Sequence, residues 1–383
     1  MMPKIIVLGD NHHNTLGVIR SLGEKGLNAE LIIKKTSRYF VTVSKYISTV
    51  YEITSESDLL KCLHNIAEKE DIPSVLICCS DWFISIVDKN YDILKPNFKS
   101  FNAIKANEIN RAMSKAVQHS YASAAGLTVP KTWVLTKEGQ IPLDIVFPCI
   151  VKTEVSVQGT KSDIVVCNDI NELKKSLTKP VSYIVQEYIE KEYELNALGC
   201  SINHGDTCII PGIIHKIREY PEGRGSSSFS VLKNFNEYPG LDVNNICKLI
   251  KLMGYEGLFS VEFVYKDQKY YFLEVNLRND GNGYIPTSAG VNLPYIWYCY
   301  SIGEAYDVPI ASLPHYFMAD VRDIFHVIKR SISFKTWFMD IRRTNCYLLY
   351  NKKDTKPFWK YIRDFIPAIL RSRIRKINDL FCR

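Results

Sequence analysis

An α/β layer followed by an α+β body is the fold class this 383-residue sequence predicts. Short apolar runs at 4–8 and 74–79 (Ser-Val-Leu-Ile-Cys-Cys) have the unbroken hydrophobicity of buried parallel strands. Between the first of them and the strand-like Ala29-Glu-Leu-Ile-Ile33, the stretch Leu16 to Gly26 spaces its apolar residues as a helix and stops on a glycine. From residue 130 onward strands dominate and turn back on one another, as in a mostly antiparallel sheet with helices on one side.

Strand, helix and strand within about 30 residues make a right-handed βαβ unit. This places a small open α/β domain at about 1–100. Its first loop, Gly9 to Gly17, lacks the Gly-x-Gly-x-x-Gly spacing, so no dinucleotide site is expected there. His12-His13 has no third ligand at metal spacing and reads as ordinary loop. A helix is expected from about Asn107 to Ala125, ending at Gly126. Strands follow at Lys131–Leu135, Ile145–Lys152, Ile164–Cys167 and Tyr183–Gln186, with a short helix near 169–177. The segment 194–217 reads as two strands around Asn203-His-Gly-Asp206, and a helix is expected at 242–253. Leu258–Tyr265 and Tyr270–Asn276 read as a hairpin closed by Lys266-Asp-Gln-Lys269.

Composition narrows the function classes. With 46% apolar, 12% aromatic and 23% charged residues, the chain has the makeup of an ordinary globular protein. No run approaches the roughly 20 apolar residues of a membrane span, and the N-terminal apolar run is too short for a signal peptide. The eleven cysteines are scattered and never form Cys-x-x-Cys, which disfavours zinc and a disulfide framework and points to a reducing cytoplasm. The net charge of +7 sits in the tail: residues 331–383 carry thirteen Lys and Arg against four Asp, leaving −2 for the first 330. No nucleic-acid partner is therefore expected.

Three places carry chemistry. On the hairpin, Glu274 and Asn276 lie two apart and point to one face, with Glu262 on the facing strand. Alternation is expected to bury Phe263, Phe272 and Leu273 on the other side. Two carboxylates and an amide oxygen form a hard-oxygen set suited to Mg²⁺ on nucleotide phosphates, and Arg278 can neutralise charge on a transferred phosphoryl group. A merely solvated hairpin face has the same spacing. Lys152, at the end of an apolar strand and ahead of a small-residue loop, suits a phosphate, although a solvated strand-end lysine looks alike. Ile184 to Glu194 runs from apolar strand into an acidic connector, which fits either an adenine and ribose contact or a surface linker.

Taken in order, Lys152, Glu187, Glu262, Glu274 and Asn276 resemble the ATP-grasp superfamily over about 105–305. Leu273-Glu-Val-Asn-Leu-Arg278 is similar to its Glu-x-Asn-x-Arg element, and Ala125 to Thr132 to its usual continuation after the first lysine. Ser114 departs from the family's Asp before Lys115, and Thr153 from the proline after Lys152. The resemblance implies an ATP-grasp fold with an N-terminal Rossmann-like pre-ATP-grasp domain at 1–104. It further implies an ATP-grasp domain at 105–310, with a small lid at about 130–187 and a metal-binding part at about 188–310, and a basic helical extension at 311–383. Lys115 and Lys152 would hold phosphates under the loop Ser156, Gly159 and Thr160. Gln186 and Ile189 would meet adenine through their backbones beside Glu187 and Tyr188, with Glu194 or Glu192 on ribose. Glu262, Glu274 and Asn276 would hold one or two Mg²⁺ ions, with Mn²⁺ a substitute, and Arg278 would stabilise an acyl phosphate.

Asn14 to Gly23 and His215 to Ser228 are similar to D-aspartate ligases and related carboxylate–amine ligases, many encoded with bacterial cell-surface polysaccharide genes. That likeness implies a cytoplasmic, ADP-forming ligase joining a small acid to an amine, with a polysaccharide or peptidoglycan precursor among its targets and a homodimer as an allowed assembly. Lys216 would approach the phosphates, while Arg218 and the loop Gly223 to Ser228 would receive the acid or amine, and Asn279 to Tyr284 would form a lid. A thiol or carboxylase-type acceptor, or nucleotide binding without turnover, are the alternatives. Apolar residues recur at helical spacing from Phe358 to Phe381 among basic ones, with Pro367 interrupting, which fits either an anionic membrane surface or packing on the body.

Overall fold

The computed structural model describes residues 2–153, 164–179, 181–223 and 225–364. Its first layer holds β1 (Ile5–Gly9), α1 (His13–Gly23), β2 (Ala29–Lys34), β3 (Ile47–Ile53), α2 (Glu56–Ala67), β4 (Ser74–Cys78), α3 (Asp81–Lys89), α4 (Tyr91–Leu94) and β5 (Phe98–Lys99). These strands form an open sheet of order β3-β2-β1-β4-β5, parallel at every junction. Strands β1, β2 and β4 are buried nearly throughout, as covering on both faces requires. Gly9 ends β1 where a Cβ would lie 2.2 Å from Thr15 Oγ1, so the chain can turn into α1 only without a side chain there.

The expected helix at 107–125 is two helices, α5 (Glu108–Ala112) and α6 (Lys115–Ala124), because Ser114 is extended and starts the second. Then come β6 (Thr132–Thr136), β7 (Cys149–Thr153), β8 (Val165–Cys167), α7 (Ile170–Ser176) and β9 (Ser182–Glu187). They build a four-stranded antiparallel sheet, β6-β9-β7-β8, with a small core of its own around Leu135, Val151, Leu173 and Val185. Strand β7 begins only after Pro148, which has no N–H for the ladder.

The third part comprises β10 (Tyr193–Ile202), β11 (Thr207–Ile209), β12 (Ile213–Tyr220), β13 (Ser226–Lys233), α8 (Val243–Leu252), β14 (Gly257–Lys266), β15 (Lys269–Asn276), α9 (Tyr284–Ser288), α10 (Leu293–Ile302), β16 (His315–Met318), α11 (Ile324–Ile328), α12 (Phe334–Arg343) and β17 (Cys346–Tyr347). The sheet order is β15-β14-β10-β12-β13-β16-β17, with β11 folded back on β10. The segment 194–217 thus reaches three strands rather than two. Gly205, at φ +94°, closes the β10–β11 turn where a Cβ would lie 2.4 Å from the Lys251 Cα. Asp267 and Gln268 both take left-handed backbone between β14 and β15, as a two-residue hairpin requires.

Residues 311–383 are not a purely helical extension. β16 pairs antiparallel with β13 and carries β17, so the large sheet is completed from this segment. Residues 356–364 are helical, and Phe358 and Tyr361 pack against the main core, Tyr361 edge-on to Phe40. The rest of the expected tail helix lies outside the described residues.

One buried ion pair ties the C-terminal segment to the first layer. Arg20 of α1 donates to Asp354 Oδ2 at 3.2 Å and to the Leu349 and Asp354 carbonyls, while Ser44 Oγ and the Lys45 N–H also reach the Asp354 carboxylate. Both side chains are fully buried. Arg20→Met would strand that carboxylate and is expected to lower stability in urea unfolding by about 3–5 kcal/mol. Adding Asp354→Asn should recover part of the loss, because no ion is then left unpaired.

Candidate active site

A cavity of about 510 Å³ opens between the parallel sheet and the large antiparallel one. Its floor is one face of β15, β14, β10 and β12. Registered neighbours share a face, and across this floor run Glu274 opposite Glu262, Glu262 opposite Asn196, and Glu194 opposite Lys216. The loops after β1 (Asp10 to Asn14) and β4 (Cys79 to Asp81) form one wall, the usual ligand position at the carboxyl ends of parallel strands. Asp280 to Asn282 and Gly225 to Ser227 complete the lining.

The register of the hairpin creates the acidic pair. Glu262 faces Glu274 and Phe263 faces Phe272, so Leu273 is an extra residue on β15, a β-bulge. Strict alternation would put Phe272 and Glu274 on the same face. The bulge resolves this, sending both phenylalanines into the core, with ring centroids 6.3 Å apart, and both glutamates to the cavity. Leu273 is only half-buried and does not join the phenylalanines, contrary to the alternating pattern.

Burial pushes the Glu262 carboxyl up to about 8, with Glu274 and then Asp280 adding to the effect and Lys216 opposing it. Asn276 Nδ2 lies 3.5 Å from Glu262 Oε1 and 3.4 Å from Ser260 Oγ. Asn196 Oδ1, buried in the same floor, has no hydrogen-bond partner. Facing carboxylates, an amide and an orphaned amide oxygen are a donor set that fits a hard divalent cation. Among the described residues no three His, Cys, Asp or Glu side chains group to hold a metal, so such an ion would draw also on amide or phosphate oxygens.

Two lysines, neither of them in the cavity lining, lie near each other behind the acidic pair's strand. Gln118 of α6 clamps the β15 backbone through both its amide atoms, at 2.9 Å to the Val275 carbonyl and 3.1 Å from its N–H. That clamp seats the buried Lys115, one turn earlier on α6, beside the strand of Glu274. Lys152, on β7, donates to Gln186 Oε1 at 3.0 Å. Burial, then the Lys115 charge, pulls its ammonium down to about 8. The Gln186 amide continues to His119, 3.2 Å away, whose imidazole is lowered to about 4 by burial and by Lys152. A lysine depressed by burial and held by a neutral amide gains from an anion brought beside it.

Glu194, Glu262, Glu274, Asn276, Lys216 and Arg278 are brought together on the cavity. Lys216 is ion-paired with Glu194 and lies 3.3 Å from Glu219; burial opposes its charge, and Glu194 more than restores it. Arg278 grips Asp81 through two bonds, at 2.7 and 3.3 Å, and reaches Asn276 Oδ1 at 3.1 Å. Burial opposes that guanidinium's charge and Asp81 restores it. Arg218 is different. A register shift in β12 next to it turns it to Asp323, at 3.2 and 2.8 Å, and Asp340, at 2.6 Å, so it is paired with two carboxylates and does not line the cavity. Gln186 is also reassigned: its backbone is in register with Thr132 and Ile150 inside the sheet, and its contribution is the side chain that holds Lys152. The N–H groups of Glu187 and Tyr188 already bond to the Lys131 and Pro148 carbonyls, which leaves Ile189 at the end of the connector. Ser156, Gly159 and Thr160 lie outside the described residues.

Sequence reading missed Asn196 and Asp81 and took His13 for ordinary loop, while Asp280 lies in the expected 279–284 lid and Asn14 opens the segment similar to D-aspartate ligases. Asn196 had a signal, two residues from Glu194 on one strand. Asp81 follows a parallel strand, where ligand sites gather, but nothing local marks it.

No family model matches the chain. It is 26% identical over 309 residues to the carbamoyl phosphate synthase large chain of Caldanaerobacter subterraneus, covering 72% of this chain and 27% of that one. The corresponding protein of Clostridium acetobutylicum is 25% identical over 254 residues, 62% and 22% of the two chains. The chain thus spans about a quarter of the length of the curated relatives it matches. An N5-carboxyaminoimidazole ribonucleotide synthetase solved with ADP superposes with a TM-score of 0.65 at 14% identity, over 86% of each chain. The L-amino acid ligase of Bacillus licheniformis gives 0.63 at 14%, over 79% and 75%. The biotin carboxylase of Campylobacter jejuni gives 0.60 at 17%, over 82% and 74%. These structures are ATP-grasp proteins, and the chain has their fold.

The acidic pair should be visible in stability. Glu262 is raised in the folded chain from an ordinary 4.5 to about 8, so the fold keeps a proton that the unfolded chain releases. The resulting contribution is complete below pH 4.5 and is lost as pH rises through 8. Glu262→Gln cannot ionise. In metal-free buffer near pH 9 the variant should resist urea better than the parent by on the order of 2 kcal/mol, with the difference vanishing near pH 4. Identical curves at both values would mean that the pair carries no such strain.

Proposed function

We propose that the chain is an ATP- and magnesium-dependent ligase that activates a carboxylic acid as an acyl phosphate and passes the acyl group to an amine, releasing ADP. One observation carries this reading: a half-buried, mutually repelling Glu262–Glu274 pair with Asn276, beside the depressed lysine Lys152. An acidic set in need of a cation beside a lysine, Lys152, held only by a neutral amide suits a metal–polyphosphate complex. Solved neighbours named as an ADP complex and as an ATP complex support the nucleotide, and the L-amino acid ligase supports the amine acceptor.

In this reading Lys115 and Lys152 grip the nucleotide phosphates, and the connector from Glu187 to Ile189 meets the adenine. Glu262, Glu274 and Asn276 hold the metal, which when bound draws charge from the transferred phosphoryl group. Arg278, kept in place by Asp81, faces the negative charge of the phosphoryl group passed to the acid and of the acyl phosphate that results. Phosphorylation replaces a hydroxide-like leaving group by phosphate, so the amine can displace it. Lys216 and the strand end at Ser226 and Ser227 border the space where acid and amine would meet. A carboxylase-type acceptor is the second reading, favoured by the biotin carboxylase among the solved neighbours. A cytoplasmic setting and a cell-surface precursor as target belong to the same proposal.

Hydroxylamine intercepts acyl phosphates as hydroxamates. With Mg-ATP and a panel of amino acids and sugar acids, hydroxamate should form for at least one acid in step with ADP. Glu274→Gln should lower the rate by about a hundredfold or more. ADP release that continues unchanged in the variant would overturn the proposal.

A further inference from the structure

The helices α11 and α12 leave an outward face that the ligase reading does not use. On α12, Phe334 and Phe338 lie one turn apart, 63% and 49% exposed, and Met339 is 59% exposed beside them. Lys335 and Arg342 are exposed on the same side, while Trp337, Asp340 and Ile341 turn inward. The end of α11 adds Ile328, 64% exposed, followed by the exposed Lys329 and Arg330. Residues 324–343 hold five Lys and Arg and one acid. That acid, Asp340, is buried and paired with Arg218 and Arg343.

We propose that this face is a docking surface for an anionic lipid bilayer. Aromatic and thioether side chains interleaved with cations on one side of a helix are what an interfacial helix presents: apolar groups enter the headgroup boundary while cations meet lipid phosphates. Among the described residues no helix is long and apolar enough to cross a membrane, so the contact lies in the plane of the surface. Charge argues against a second copy as occupant. A two-fold interface sets each patch against itself, and here that would face Lys329, Arg330, Lys335 and Arg342 with their own copies, the acid being already neutralised by Arg218 and Arg343. The surface is also anchored to the cavity. Asp323, before α11, and Asp340 of α12 clamp Arg218 of β12, the strand that supplies Lys216 to the floor. His326 of α11 reaches Ser228 Oγ at 3.1 Å and Glu222 at 3.0 Å, fixing both ends of the loop beside Ser226 and Ser227.

The test is co-sedimentation of the full chain with vesicles of phosphatidylcholine alone and of phosphatidylcholine with about a third phosphatidylserine. Binding is expected only to the anionic vesicles and should weaken as salt rises. Lys335→Glu with Arg342→Glu should lower the partition coefficient at least about tenfold, and Phe334→Ser with Phe338→Ser at least about fivefold. Thermal melting checks that both variants are folded. Arg371→Glu with Arg373→Glu, in the basic tail, should keep most of the binding. Absence of binding to anionic vesicles, binding by the α12 variants equal to that of the parent, or loss in the tail variant instead would overturn the proposal. So would a dimer that Lys335→Glu with Arg342→Glu dissociates in a chain that ignores vesicles.

Discussion

Two carboxylates set opposite each other on neighbouring strands repel, and partial burial takes away some of the water that would otherwise screen them. Glu262 and Glu274 are held this way, and much of the surrounding structure exists to keep them so. A single extra residue, Leu273, allows Phe263 and Phe272 to fill the core while both acids turn to the cavity. Without it, one strand would have to bury a glutamate or expose a phenylalanine. Gln118 then fixes α6 to the backbone between Glu274 and Asn276, bringing Lys115 close. Lys152 is held by the neutral Gln186 amide and not by a carboxylate. The acids and Lys152 are therefore not ion-paired with each other, and a ligand carrying both signs would favour both.

The parallel sheet has a part in this beyond its own stability. Its strand ends supply Asp81, which holds Arg278, and Asn14, which donates to the Cys79 and Asn279 carbonyls at 2.7 and 2.8 Å. These contacts set the loop after β15 against the loops after β1 and β4, so the cavity is walled by two sheets of different construction. The Arg20–Asp354 pair pins the C-terminal segment to the same layer from another side.

Much of this was legible in the sequence where the signal is local. Apolar runs marked β1, β2 and β4, and the period-two placing of Glu274 and Asn276, with Glu262 on the facing strand, marked the floor. The bulge was not legible, because an extra residue leaves no mark in composition and shows only when two strands are registered. Nor was β16, which sits in a segment whose basic charge suggested an appendage, yet whose short run His315–Met318 completes the sheet. Arg218 was misread for a related reason: two positions from Lys216 it should share a face, and a register shift in β12 sends it to Asp323 and Asp340. Residues drawn from distant loops, such as Asp81, have no spacing to betray them. Only the packing of one layer on another brings them to the site.

The claim at the centre is that the Glu262–Glu274 floor and its two lysines receive a metal–nucleotide complex. Calorimetric titration of the full chain with a non-hydrolysable ATP analogue, with magnesium and with chelator, tests it most directly. Binding that is at least about tenfold tighter with magnesium, and whose metal dependence disappears in Glu262→Gln, is the predicted result. Binding of equal strength with and without the metal, or none in either condition, would contradict it.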